Sequence, residues 1–356
     1  MFMNKIIKTI FTAAAVVLIA AFAGTAAGLT YLSVNELSPA DVEPVDIGGE
    51  PTIEILPGDK IKAMTYNIAY GGMGKGHTDP LDGGSGEEPA DIDEIADNLT
   101  KIAKLCTDRM AHVNFFQQAD INSKRSCMTD EPAILSGGIY GRTNAFAVDH
   151  SCVFVPFPIG SSVGEVRSGL LTMTRFGVDS AERRSLPNDY GWPSSTWNRK
   201  PCMLVERIDL GDSGRQLVLI NTNFEEYDSG EVRAESFKVL CEFMQKEYSN
   251  GSYIVAAGGF NAQLPSVQHG KYEDSADDNF TPLELSTELL TGGWKYCTDS
   301  SAPTVRRLNA ESGAAEYSAD GFITSPNTIV EHTETIDTDF RFSNHNPVVC
   351  EVTLVN

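Results

Sequence analysis

Six short segments gather the residues with the most chemical potential. They are Met64-Thr-Tyr-Asn67, Phe115-Phe-Gln-Gln118-Ala-Asp120, Leu219-Ile-Asn-Thr-Asn223, Ala256-Ala-Gly-Gly259-Phe-Asn261, Asp320-Gly-Phe-Ile and Phe342-Ser-Asn344-His345-Asn346-Pro347. Most of the polar side chains in them are amides, which offer an oxygen donor but no charge. His345 is the side chain whose charge changes near neutral pH, and Asp320 is its candidate partner, either facing a pocket or as a buried structural pair. Asp120 and Glu225 lie two residues beyond Gln118 and Asn223 and would share their faces if those strands continued with period two. Otherwise both are solvated loop carboxylates in a chain with 49 acids. Seven cysteines without a C-x-x-C pair give no legible zinc site. The glycine-rich stretches at Gly71 to Gly76 and Gly83 to Gly86 fit neither phosphate-loop pattern and read as surface loops.

The elements that must position these residues follow from periodicity. Apolar, β-branched runs predict strands over Ile61 to Ile68, Val113 to Gln118, Gly169 to Thr174, Met203 to Leu210, Gln216 to Thr222, Tyr253 to Ala257, Asp320 to Thr324 and Val348 to Val355. Two helices read clearly. One starts at Asp91 with Glu94 in a capping-box-like relation and an apolar stripe from Ile92 through Ile95, Leu99 and Ile102. The other covers Glu231 to Tyr248, with Phe237, Leu240, Cys241 and Met244 on one face. Several strands are continuously apolar and so must be covered on both faces. The arrangement that satisfies this is an α/β fold, a four-layered sandwich of two packed mixed sheets flanked by helices.

The N-terminus sets the compartment. After Lys5 and Lys8 an uncharged, largely apolar run extends from Thr9 to Leu37, interrupted only by the charge of Glu36. It is long enough to cross a bilayer, where about 20 helical residues suffice. The small residues from Ala23 to Ala27 also resemble a signal-peptide cleavage site. Residues 1–37 are therefore a signal anchor or a signal peptide, and Leu29, Tyr31 and Leu32, which extend the apolar run past the small residues, favour the anchor. Either way residues 60–356 form an extracytoplasmic domain, tethered to the cell membrane or secreted if cleaved. The Pro- and acid-rich residues 38–59 are read as a linker. With 27 basic against 49 acidic residues the net charge is -22. That lacks the basic footprint a nucleic-acid binder needs and makes nucleic acid an improbable partner.

The order and spacing of the segments resemble the endonuclease/exonuclease/phosphatase superfamily over about residues 60 to 355. The resemblance implies a magnesium-dependent phosphoester hydrolase. It assigns Asn67 and the Gln118 position to the metal, His345 to the phosphoryl group, Asp320 to orienting that histidine, and Asn261 to the retained catalytic set. Gln118, Asn223, Gly259 and Asn344 depart from the acid, histidine, acid and acid expected there. Gln for Glu and Asn for Asp keep a donor but delete a charge, and Gly deletes both. At an effective dielectric near 20, each lost carboxylate about 4 Å from a cation removes roughly 4 kcal/mol per unit charge pair. The expectation is an impaired or inactive enzyme with a binding role and no cofactor, its ligand a small phosphorylated molecule or lipid head group. The alternative is an active phosphoesterase that uses magnesium through Gln118 and Asn67, helped by Glu225 or Asp120. Arg167 is the basic residue in a segment resembling a substrate-side strand. Arg183, Arg184, Arg199 and Lys200 either face the phosphorylated ligand or are rim or surface charges, and Trp192 and Trp197 either stack on it or pack under their own turn.

Overall fold

A computed structural model describes residues 2–77, 89–158, 160–265, 283–309 and 313–355. The second glycine-rich stretch, Gly83 to Gly86, lies outside them. In chain order the elements are α1 (Phe2–Val34), β1 (Val42–Pro44), β2 (Ile47–Gly49), β3 (Lys60–Asn67), α2 (Ile92–Asp108), β4 (Val113–Asp120), α3 (Glu131–Gly138), β5 (Thr143–Val155), β6 (Gly164–Thr174), β7 (Ser180–Ser185), β8 (Cys202–Asp209), β9 (Gln216–Asn223), α4 (Glu231–Ser249), β10 (Tyr253–Gly259), β11 (Lys295–Cys297), β12 (Val305–Asn309), β13 (Gly313–Tyr317), β14 (Asp320–Thr324), β15 (Thr328–Thr335) and β16 (Val348–Leu354).

Two seven-stranded sheets face each other. One has the order β1-β7-β8-β9-β10-β14-β11, the other β15-β16-β3-β4-β6-β5-β2, and β12 pairs with β13 in a separate hairpin. Both large sheets are mixed, with β9 parallel to β10 and β3 parallel to β4. The space between them is filled by Ile61, Val113 and Phe115 from one side and Leu219, Val255 and Phe322 from the other. Helix α4 covers the outer face of the first sheet through Phe237, Leu240 and Met244, and α2 covers the second through Ile95, Leu99 and Ile102. The expected four-layered sandwich is the fold of this chain. Asp91 caps α2 by accepting the Glu94 N–H, while Ile92, placed by periodicity in the apolar stripe, stays exposed.

Residues 38–59, expected as a linker, lie against both sheets. Within them β1 pairs with the edge strand β7 and β2 with the edge strand β5. Proline and acidic residues are at home on an edge strand, where some N–H groups face solvent. Arg183, read as a surface charge, is also corrected. It is 3% exposed, and its guanidinium donates to the carbonyls of Val148 and Lys200, tying strand to loop. All seven cysteines are free, six of them buried.

Two polar features interrupt the space between the sheets. Strand β4 carries a bulge between Phe116 and Ala119 in its pairing with β6, and Gln118 within it has φ +54°. A bulge of this kind leaves ladder groups unpaired. Asn221, on the opposite sheet, satisfies them: its Nδ2 donates to the carbonyls of Phe116 (3.0 Å) and Leu171 (3.1 Å). Its Oδ1 accepts from Gln117 Nε2 at 2.7 Å. The second feature is Glu206 on β8, fully buried with no hydrogen-bond partner for either carboxylate oxygen. Burial pushes its pKa up to about 8.

Both features yield predictions. Asn221→Ala strands two carbonyls and an amide in a dry interior, each worth about 1–3 kcal/mol, so chemical denaturation should show a loss of roughly 2–5 kcal/mol; a change within error would remove the bridge from the account. For Glu206 the folded group holds its proton up to about pH 8, whereas the unfolded group ionises near its ordinary value, so folding loses stability as pH rises between the two. Glu206→Gln removes this penalty. Thermal melts should show the variant gaining over wild type at pH 8, on the order of a few kcal/mol, with little difference at pH 4; an equal gain at both pH values would contradict the assignment.

Candidate functional site

The cleft opens where the parallel strands β3, β4, β9 and β10 reach their C-terminal ends. On the first sheet, Gly259 pairs across to Asn223 on one side and to Asp320 on the other, so three of the expected site residues form one row. On the second sheet, Asn67 pairs with Gln117 beside the bulge that holds Gln118. A hydrogen-bonded chain joins the two sides. Ser343 Oγ donates to the Asn67 carbonyl (2.8 Å), the His345 N–H donates to Ser343 Oγ (3.1 Å), and His345 Nδ1 meets Asp320 Oδ2 at 2.9 Å. Asn261 holds the neighbouring loop by donating Nδ2 to the Phe224 carbonyl, and its own left-handed φ of +46° is one that Asn tolerates better than most residues. The structure thus brings together Asn67, Asn223, Gly259, Asn261, Asp320, Asn344 and His345, with part-buried Gln118 beside them.

The electrostatics of this cluster rest on one pair. Burial works against a charged His345, yet the charge of Asp320, its hydrogen bond and the more distant Glu226 outweigh that and hold the ring's pKa above its ordinary value. His345 is 6% exposed. The remaining polar atoms are short of partners. Asn223 Nδ2 and Oδ1, Asp320 Oδ1 and Asn344 Oδ1 are buried with no hydrogen-bond partner from the protein. Unsatisfied atoms of this kind are uncommon and point to a ligand or ordered water. Gly259 lets these oxygens close in on the strand: a Cβ there would stand 2.7 Å from Asn223 Oδ1 and 3.3 Å from Asp320 Oδ1.

The donor set does not fit magnesium. This hard cation takes oxygen ligands that include one or two carboxylates, while Gln118 and Asn67 are neutral and Asn67 Oδ1 already accepts the Ala69 N–H at 3.0 Å. Among the described residues no group of three or more His, Cys, Asp or Glu is placed to hold an ion. Of the two carboxylates that could have re-entered the cleft, Asp120 is engaged through both oxygens, while buried Glu225 uses Oε1 alone and its Oε2 has no hydrogen-bond partner. Asp120 receives both Nε and Nη2 of Arg125 at 2.8 Å and its N–H donates to buried Glu131. Glu225 lies past the end of β9 and accepts the N–H groups of Glu226 and Tyr227.

Arg167 is exposed on the β5–β6 hairpin, outside the buried cluster, and its carbonyl accepts from Ile121 and Ser123. Arg199, read as a rim charge, is instead a clamp behind the site. It donates to Asp149 Oδ2 at 2.6 Å and to the Asn223 carbonyl at 3.0 Å. Sequence reasoning also missed Gln117, Asn221 and Ser343, which set the cleft floor. The doubled amides of Gln117-Gln118 and Asn221-Thr-Asn223 in otherwise apolar strands were the available signal.

No family model and no curated protein matches this sequence. Solved structures do. An endonuclease/exonuclease/phosphatase from Beutenbergia cavernae superposes with TM-score 0.56 at 15% identity, covering 83% of this chain and 72% of that one. One from Bacteroides vulgatus gives TM-score 0.53 at 15% identity, covering 83% and 99%. With its two facing mixed sheets, its covering helices and a cleft at the strand ends, this chain has the endonuclease/exonuclease/phosphatase fold.

Proposed function

We propose that this chain is an exported, membrane-anchored domain of the endonuclease/exonuclease/phosphatase fold whose hydrolytic site has lost its metal-holding charge. In this reading it binds a small phosphorylated molecule or a lipid head group without cleaving it. The observation that carries the reading is the set of unpartnered polar atoms on Asn223, Asp320 and Asn344, in the same row and segment as a histidine that favours its charged form. Asn223 Nδ2 and the imidazolium are donors that suit phosphoryl oxygens, while Asn223 Oδ1, Asn344 Oδ1 and Asp320 Oδ1 are acceptors that would take ordered water or a ligand hydroxyl. Hydrogen bonds from charged donors are about twice as strong as neutral ones. Hydrolysis needs more than this. General-base assistance contributes about 10² to 10⁴ in rate and metal polarisation several kcal/mol beyond it, and Gly259 offers no group to take a proton.

Anchoring is supported by α1. Its stretch Ile7–Val34 is apolar, 28 residues long and not buried by the rest of the chain. With Lys5 and Lys8 before it, the domain would stand on the extracytoplasmic side. The acidic net charge of -22 favours a small ligand or head group over nucleic acid.

Dimethyl phosphate keeps a single charge across the neutral range, so its calorimetric titration isolates the state of His345. Binding should be strongest at low pH and fade as pH rises through the raised pKa of His345, because the attraction exists only while the ring is protonated. His345→Gln should weaken binding about tenfold at pH 6, the equivalent of about 1.4 kcal/mol, and flatten the pH profile. Wild-type binding that is absent, or indifferent to pH and to this substitution, would refute the reading. Separately, Gly259→Asp on its own should lower stability, since it crowds Asn223 and sets a second carboxylate beside Asp320; Asn223→Ala in the same chain should recover part of the loss in thermal melts.

A further inference from the structure

The last turns of α1 meet the domain at the mouth of the cleft. Trp192 Nε1 donates to Ser33 Oγ at 3.0 Å, Lys200 Nζ pairs with Glu36 at 2.8 Å, and half-buried Leu29 and Leu32 mark the side of α1 that approaches β5. Lys200 follows Arg199, whose guanidinium holds the Asn223 carbonyl, so two consecutive residues connect the helix end to the site. The sheet register agrees. Ser185 at the end of β7 pairs with Cys202 at the start of β8, and Met203 pairs with Thr222, so the 186–201 loop sits at the cleft end of its sheet. The β5–β6 hairpin extends from the same end of the other sheet, where Asp120 pairs with Ser168.

That rim carries large apolar groups that the described residues leave exposed. Trp192 is 65% exposed, Phe154 46% and Phe157 43%, and Phe157 packs against Trp197 with ring centroids 5.9 Å apart. The length of α1 sets their depth. At about 1.5 Å per residue its 28-residue apolar stretch runs about 42 Å, against roughly 30 Å for a bilayer's hydrocarbon core and 40–45 Å with head groups included. Ser33 therefore falls in the head-group zone, and a tryptophan bonded to it falls there too. Tryptophan and other aromatics concentrate at that depth.

We infer that Phe154, Phe157 and Trp192 form an interfacial platform that seats the domain on the phospholipid bilayer crossed by α1, with the mouth of the cleft turned toward the head groups. The inference rests on the anchored reading above and deepens it: continuity of the rim with α1 selects the bilayer as what covers the aromatics.

The chain has three tryptophans, Trp192, Trp197 and Trp294, none of them in α1, so their emission reports on the domain alone. The full chain is reconstituted into phosphatidylcholine vesicles with and without lipids brominated close to the head group, and flotation and tryptophan emission are read for wild type and Trp192→Phe. The expected result is flotation of both proteins, with bromine quenching a share of wild-type emission that the variant lacks. Flotation with equal quenching in both proteins, or none in either, would overturn the platform and leave the anchor standing. A chain that does not float overturns the platform and the anchored reading together. Trp192 is exposed and its replacement conservative, so folding of the variant is not at issue.

Discussion

The cleft depends on a bridge of two amides between the sheets. Gln117 reaches from the floor of one sheet and Asn221 from the other, 2.7 Å apart, and Asn221 also satisfies two carbonyls beside the bulge in β4. In a core otherwise filled by Phe115, Leu219 and Val255, unpaired polar groups are costly. The sheets therefore hold the one relative placement that pairs them. That placement sets Asn67 and Gln118 opposite the row of Asn223, Gly259 and Asp320. The bulge is part of the same device, because it turns Gln118 out of the ladder while Asn221 absorbs its cost.

What the cleft does with this geometry is decided by charge. The one carboxylate in the row, Asp320, gives Oδ2 to His345 and leaves Oδ1 without a partner. Asp120 is held by Arg125 and Glu225 by its own loop. In the proposed reading the scaffold holds a phosphoryl group without the field that fixes a dication. In that reading an anion would meet the protonated histidine and the Asn223 amide.

Much of this was legible in the sequence. Strand ends, the Asp91 cap, the α4 stripe and the row of amides follow from spacing and residue type, and their order was enough to give the fold. The failures have physical causes. The sequence left Asp120 and Glu225 either on the faces of Gln118 and Asn223 or as solvated loop carboxylates; both are buried, with a bulge breaking the alternation before Asp120 and β9 ending before Glu225. Residues 42–49 looked like linker because three-residue edge strands carry too few side chains to show a pattern. Arg183 and Arg199 looked like surface charges because burial of an arginine is set by distant carbonyls and by Asp149, which local sequence does not reveal. Gln117 and Asn221 were passed over because each is meaningful only opposite the other, across about a hundred residues of chain.

The central claim is that this cleft lacks the negative charge to hold magnesium and therefore does not cut phosphoesters. Magnesium titration of the purified wild-type chain, followed in the same samples by turnover of a generic phosphodiester with His345→Ala as control, tests it most directly. The account predicts no saturable magnesium heat at millimolar concentration and no turnover above the control. Saturable binding together with turnover that His345→Ala abolishes would contradict it.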